Sequence, residues 1–109
     1  MDEQEFKKQS DVALESLYKK LSAATDRYEF EPDFNSGALT IEFEEPTKAR
    51  FVVSPNSPVR QIWVSAHSRS FKLDWVPAQN AFVLPDTAQT LEQMIAGAIS
   101  QHLGEDIQL

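Results

Sequence analysis

Phe6, Ala13, Leu14, Leu17 and Leu21 recur at mixed spacings of three, four and seven, which lays one apolar stripe along a helix over residues 3–23. Its polar rows place Glu3 before Lys7 and Glu15 before Lys19 in the favourable i,i+4 order. The period then changes from helical to alternating. Over 29–34, acids at 29, 31 and 33 alternate with Phe30, Pro32 and Phe34, the pattern of a half-buried strand. Pro32 cannot donate to a ladder, so this strand belongs at an edge. Asn35-Ser36-Gly37 is turn chemistry, and Leu39, Ile41 and Phe43 alternate beyond it.

Pro46 marks the next turn, and a strand over 49–54 puts Phe51 and Val53 on one face. Residues 54–58, with two prolines, read as a loop. A strand over 59–66 sets Arg60, Ile62, Val64 and Ala66 on one face and Val59, Gln61, Trp63 and Ser65 on the other. Phe71, Leu73 and Trp75 form a further strand, and 81–84 a short one. A second helix over 88–103, capped by Asp86 or Thr87, carries Leu91, Met94, Ile95, Ala98, Ile99 and Leu103, with Gly104 just past its end. Two amphipathic helices flanking short alternating strands have one economical packing. It is an α+β two-layer sandwich, both helices on one face of an antiparallel sheet of five or six strands, in a single domain over 1–109. If Ile62 and Val64 face the helices, Gln61 and Trp63 point outward. An exposed tryptophan among polar neighbours fits a partner-binding surface better than a solvated one.

Composition narrows the chemistry. The 109 residues include no cysteine, which excludes a disulfide scaffold, a thiolate metal site and a cysteine nucleophile. No apolar run approaches the ~20 residues of a membrane helix, and the acidic opening is unlike a secretory leader or an organelle presequence. A cytoplasmic protein is expected. The net charge of −7 is confined to residues 1–45, which hold twelve acids and five bases, while 46–109 sum to zero and 46–73 contain no acid. Such a dipolar field steers charged partners. It is the wrong sign for a nucleic-acid binder. His67 has serines at 65, 68 and 70, but adjacency in a loop supplies neither an orienting acid nor an oxyanion site. There is no H-x-x-x-H pair, phosphate loop or G-x-G-x-x-G.

Pro58-Val59-Arg60-Gln61-Ile62-Trp63-Val64-Ser65 resembles the P-x-x-Q-[IV]-W-[LVI]-[AS] signature of frataxins, including their bacterial CyaY-like branch. Gly37-Ala38-Leu39-Thr40-Ile41 resembles the family's G-V-L-T-[IV] segment, and Leu73-Asp74-Trp75 its [FY]-D-[WY] segment. The helices and the acidic first strand fall in matching order, so the resemblance spans nearly the whole chain. It implies an α–β sandwich accessory protein of iron–sulfur cluster assembly. Such a protein regulates the cysteine desulfurase–scaffold complex, binds ferrous or ferric iron weakly on surface carboxylates, and is expected to be a monomer.

Carried over, the resemblance implies a metal-binding ridge of Asp11, Glu15, Asp26, Glu29, Glu31 and Asp33, and a partner surface of Asn56, Arg60, Gln61, Trp63 and Lys72. Acids two apart on one strand face lie ~6.6 Å apart, a spacing suited to bridging waters rather than a closed shell. The chain departs from the family at Lys19 and Lys20, where acids are usual and where Lys19 can neutralise Glu15. It departs again at Ser68-Arg69-Ser70, where a glycine pair is usual. The alternatives are an interaction module of the same fold without an iron site, and a weak iron-oxidising enzyme.

Overall fold

In the computed structural model, which describes residues 1–109, helix α1 runs from Glu3 to Ala24. Asp2 caps it by accepting from the Glu5 amide at 2.8 Å. Phe6, Ser10, Leu14, Leu17, Leu21 and Ala24 are its buried row. The serine within that row turns its hydroxyl back onto the Lys7 carbonyl, which satisfies it without a partner from the core.

Seven strands follow: β1 (Glu31–Asn35), β2 (Ala38–Phe43), β3 (Ala49–Asn56), β4 (Gln61–Ala66), β5 (Arg69–Val76), β6 (Ala81–Leu84) and β7 (Gln89–Thr90). Each pairs antiparallel with the next in one meandering sheet, so spatial order equals chain order. Helix α2 (Leu91–Leu103) follows β7 directly, and Ile107 beyond it is buried in the core. α1 packs over β1–β3 and α2 over β6 and β7, both on one face, which gives the two-layer α+β sandwich of the sequence reading. The core is the sheet's inner row of Leu39, Ile41, Phe43, Phe51, Val53, Ile62, Val64 and Leu73, sealed by the helix stripes.

The sheet has seven strands rather than five or six, because Gln89 and Thr90, which the periodicity assigns to the second helix, pair with β6 as β7. Thr90, not Asp86 or Thr87, caps α2. Its hydroxyl accepts from the Gln93 amide while Gln93 Oε1 accepts from the Thr90 amide, a reciprocal capping box. Pro85–Ala88 instead form a tight turn, with the Ala88 amide on the Leu84 carbonyl at 2.8 Å. The first strand begins at Glu31, so Glu29 precedes it.

Residues 54–58 are not one loop either. β3 continues to Asn56, with Pro55 opposite Ile62. Pro55 is tolerated there because β2 pairs only as far as Val53, so the missing N–H lies beyond that neighbour's reach. A 3-10 turn at Ser57–Val59 then ends on Arg60 in the left-handed region at φ 56°. The same device, Pro77–Gln79 ending on Asn80 at φ 51°, joins β5 to β6. Arg60 therefore does not lie on the Ile62 face of a strand; its guanidinium bonds to the Ser57 carbonyl of its own turn.

Candidate functional site

Two surfaces hold the side chains that the sequence singles out. The first is the outward face of β4 and β5. Trp63, 38% exposed, sits directly across from Lys72, whose Nζ lies 5.0 Å from the centre of the ring. Trp63 Nε1 donates to Gln61 Oε1 at 3.0 Å, and Gln61 Nε2 donates to Asp74 Oδ1 at 2.9 Å. Asn56 faces Gln61 across the β3–β4 pair. The indole is thus fixed by a chain of polar contacts yet keeps much of its surface open. Asn56, Gln61, Trp63 and Lys72 come together here; Arg60 stands at the turn below them.

Sequence reasoning passed over Asp74, which completes this network. Counting outward from the two-residue turn His67–Ser68 pairs Trp63 with Lys72 and Gln61 with Asp74. That turn carries no Gly or Asn, although both its residues adopt positive φ, so its position was hidden.

The second surface is acidic and draws its side chains from two layers. Glu31 and Asp33 share a face of β1, exposed, while Pro32 and Phe34 are partly buried on the other face. Phe34 meets Tyr18 of α1 at 6.0 Å between ring centres. Asp11 and Glu15 lie along α1 on the Tyr18 side, as their spacing of seven and three residues from it requires. They therefore belong to the helix layer, whereas Glu31 and Asp33 project with the opposite face of the sheet. Asp26 is exposed in the turn after α1. What Glu29 and Glu31 do join is a groove shared with Glu42, Glu44 and Glu45. Glu31 sits directly opposite Glu42 in the β1–β2 register. These three additional acids were visible in the sequence once the Ser36–Gly37 turn is used to count register, since both its residues have positive φ.

No three Asp, Glu or His side chains converge to enclose a metal ion. The two ion pairs in the molecule leave the acids largely uncompensated. Lys20 pairs with Glu92 of α2 at 2.6 Å, and Arg50 approaches Glu42 at 4.0 Å. Lys19 forms no ion pair with Glu15, contrary to the helical-spacing expectation. The Lys20 charge is likewise spent on tying the helices together rather than on the acidic flank. His67 and His102 are structural: their Nε2 atoms meet the Ala98 and Thr47 carbonyls at 3.1 and 3.0 Å, and both rings pack against Phe51.

No helix is long and apolar enough to cross a membrane. The frataxin-like domain model matches residues 1–105. Over 113 aligned residues the chain is 26% identical to the mitochondrial frataxin of Arabidopsis thaliana, covering all of this chain and 59% of that protein. It is also 26% identical over 97 residues to the iron-sulfur cluster assembly protein CyaY of Pseudomonas aeruginosa, covering 87% of this chain and 88% of the relative. Among solved structures, frataxin from Psychromonas ingrahamii superposes with a TM-score of 0.84 at 18% identity, over 99% of this chain and 97% of that one, which establishes the shared fold.

Proposed function

The chain belongs to the frataxin-like family, and from that premise we propose that it is an accessory protein of iron–sulfur cluster assembly. It acts in the cytoplasm as a regulator, docking on the cysteine desulfurase–scaffold complex and performing no turnover of its own. The observation that carries this reading is the Trp63 face. An aromatic side chain, held by Gln61 and flanked by Lys72 and Asp74, has its geometry set before any partner arrives. Truncating such an anchor typically costs about 2 kcal/mol of binding energy or more. The acidic flank favours encounter with a basic surface, in a salt-sensitive manner.

Iron, in this reading, is loosely held cargo. Carboxylates are hard oxygen donors suited to iron without imidazole, and the open acidic groove supports water-bridged binding rather than a closed coordination shell. Glu29 and Glu31, with Glu42, Glu44 and Glu45, are the preferred ligands; Asp11, Glu15, Asp26 and Asp33 supply the wider field. One alternative is an interaction module with no iron role, favoured by the lack of any convergent ligand set. Iron-dependent broadening of the Glu29 and Glu31 amides separates it from the main reading. The other alternative, a weak iron-oxidising enzyme, requires catalytic oxygen consumption.

The test is an amide NMR titration with the host's cysteine desulfurase at low and high salt. Perturbations centred on Gln61 and Trp63 that weaken with salt are expected. Absence of binding at both salt concentrations leaves the family membership intact and overturns the docking role.

A further inference from the structure

β5 is paired on both sides only at its C-terminal end. β4 covers it from Arg69 to Asp74, but β6 pairs with Asp74, Trp75 and Val76 alone. Past Leu84 the chain turns away, so the outer edge of β5 from Arg69 to Leu73 has no neighbouring strand. The closing pair of a two-residue hairpin turn is hydrogen-bonded, and antiparallel pairs then alternate. From Ala66 opposite Arg69, this directs the backbone of Arg69, Phe71 and Leu73 toward β4 and that of Ser70 and Lys72 outward. No turn or loop backbone group pairs with Ser70 or Lys72.

This edge borders a groove of about 680 Å³, and β5 residues of both faces line it, so it runs along the edge rather than over one side. The groove is bounded at both ends. His67 ties the hairpin turn to the Ala98 carbonyl of α2, and the Asp74–Val83 pair ties the other end to β6. Phe71, Leu84 and Met94 supply apolar wall. So does Gly97, an exposed glycine in the middle of α2. A Cβ built there meets nothing within 4 Å, so nothing inside the molecule requires a glycine at this costly helical position. It does leave the helix smooth where another backbone could pass.

We propose that the outer edge of β5 is a strand-addition site for an extended acidic peptide of a partner protein. The added strand takes up the outward N–H and C=O groups of Ser70 and Lys72 and passes over Gly97. Its apolar side chains face Phe71 and Met94, and its acidic ones face outward beside Lys72. Charge on β5 itself favours this occupant. Arg69 and Lys72 rest over the Phe71 and Trp63 rings with no carboxylate within ion-pair distance, and Asp74 is engaged by Gln61, which leaves Asp86, in the turn after β6, as the other acid lining the groove. A second copy is disfavoured, because edge-to-edge pairing would bring the Arg69 and Lys72 side chains of both copies together in a protein of net charge −7. This site adjoins the Trp63 face and shares Lys72 with it, but it uses the outward backbone of β5 rather than the indole and does not depend on the desulfurase reading.

The probe is a short capped peptide of alternating Val and Glu, titrated into the full ¹⁵N-labelled chain. Shifts and slowed hydrogen exchange are expected at the Ser70 and Lys72 amides, with shifts at Gly97. N-methylating the peptide's strand-facing amides should weaken binding by ~10-fold or more, the consequence of deleting backbone hydrogen bonds. Gly97→Leu should weaken binding similarly, and Gly97→Ala should raise the melting temperature. No shift at Ser70 and Lys72, or equal binding of the N-methylated peptide, overturns the proposal. So does undiminished binding to Gly97→Leu. Concentration-dependent shifts of the same amides without peptide also overturn it, assigning the edge to a second copy.

Discussion

Around Trp63 the polar groups hold one another; around the open end of the β1–β2 hairpin they share only repulsion. Gln61 bridges Trp63 and Asp74, and Lys72 covers the indole, so one conformation is selected before binding. Glu31 faces Glu42 with Glu29, Glu44 and Glu45 nearby, and only Arg50, at 4.0 Å from Glu42, answers them. The first surface can recognise a shape. The second supplies field and oxygen donors without fixed geometry, which suits attraction and loose cation capture.

Removing the anchor tests the organised side most severely. Trp63→Ala should cost ~2 kcal/mol of desulfurase affinity, roughly a 30-fold rise in Kd by calorimetry, with little change in melting temperature. A large fall in melting temperature would mean the indole serves the fold. Reversing Glu29 and Glu31 to Lys together should slow association ~10-fold at low salt, a difference that shrinks as salt rises, and should abolish iron-dependent amide broadening. Stopped-flow rates at several salt concentrations check the first effect; a salt-independent loss would make these acids contact residues. Lys72→Ala should cost ~0.5 kcal/mol through the lost cation–π contact and alter Trp fluorescence in the free protein. The smallest effect is a gain. Glu31→Lys replaces a like-charge cross-strand pair with an opposite-charge one and should add a few tenths of a kcal/mol, seen as a higher urea midpoint at low salt.

The elements with strong periodicity were legible. α1 was placed to within a residue at its end, and the inward row from Leu39 to Leu73 follows directly from alternation. What escaped reading depends on backbone conformations with no side-chain signature. Arg60, His67 and Ser68 occupy the left-handed region without being Gly or Asn, so the Arg60 turn passed as strand and the His67–Ser68 turn went unlocated. Asp86 and Thr87 have the chemistry of a cap for α2 but do not serve as one. Thr90 wins because Gln93 lies three residues on and completes the reciprocal pair. The outward position of Trp63 was legible from pleat alone. The division of the acids between two layers was not, since it depends on which face of β1 meets α1.

The strictly sequential strand order bears on how the molecule comes together in time. Every strand's partner is its nearest neighbour in the chain, so the sheet can grow hairpin by hairpin with little loop closure at each step. The long-range event is bringing the two ends of the chain together, marked by the Lys20–Glu92 pair and by Arg27 reaching the Gln108 carbonyl. Because Ile107 is buried in the core beside this junction, closure completes the core as well as the outline. The topology therefore separates a locally assembled sheet from a late clasp at the chain ends, and native-state hydrogen exchange should see that clasp open before the central strands do.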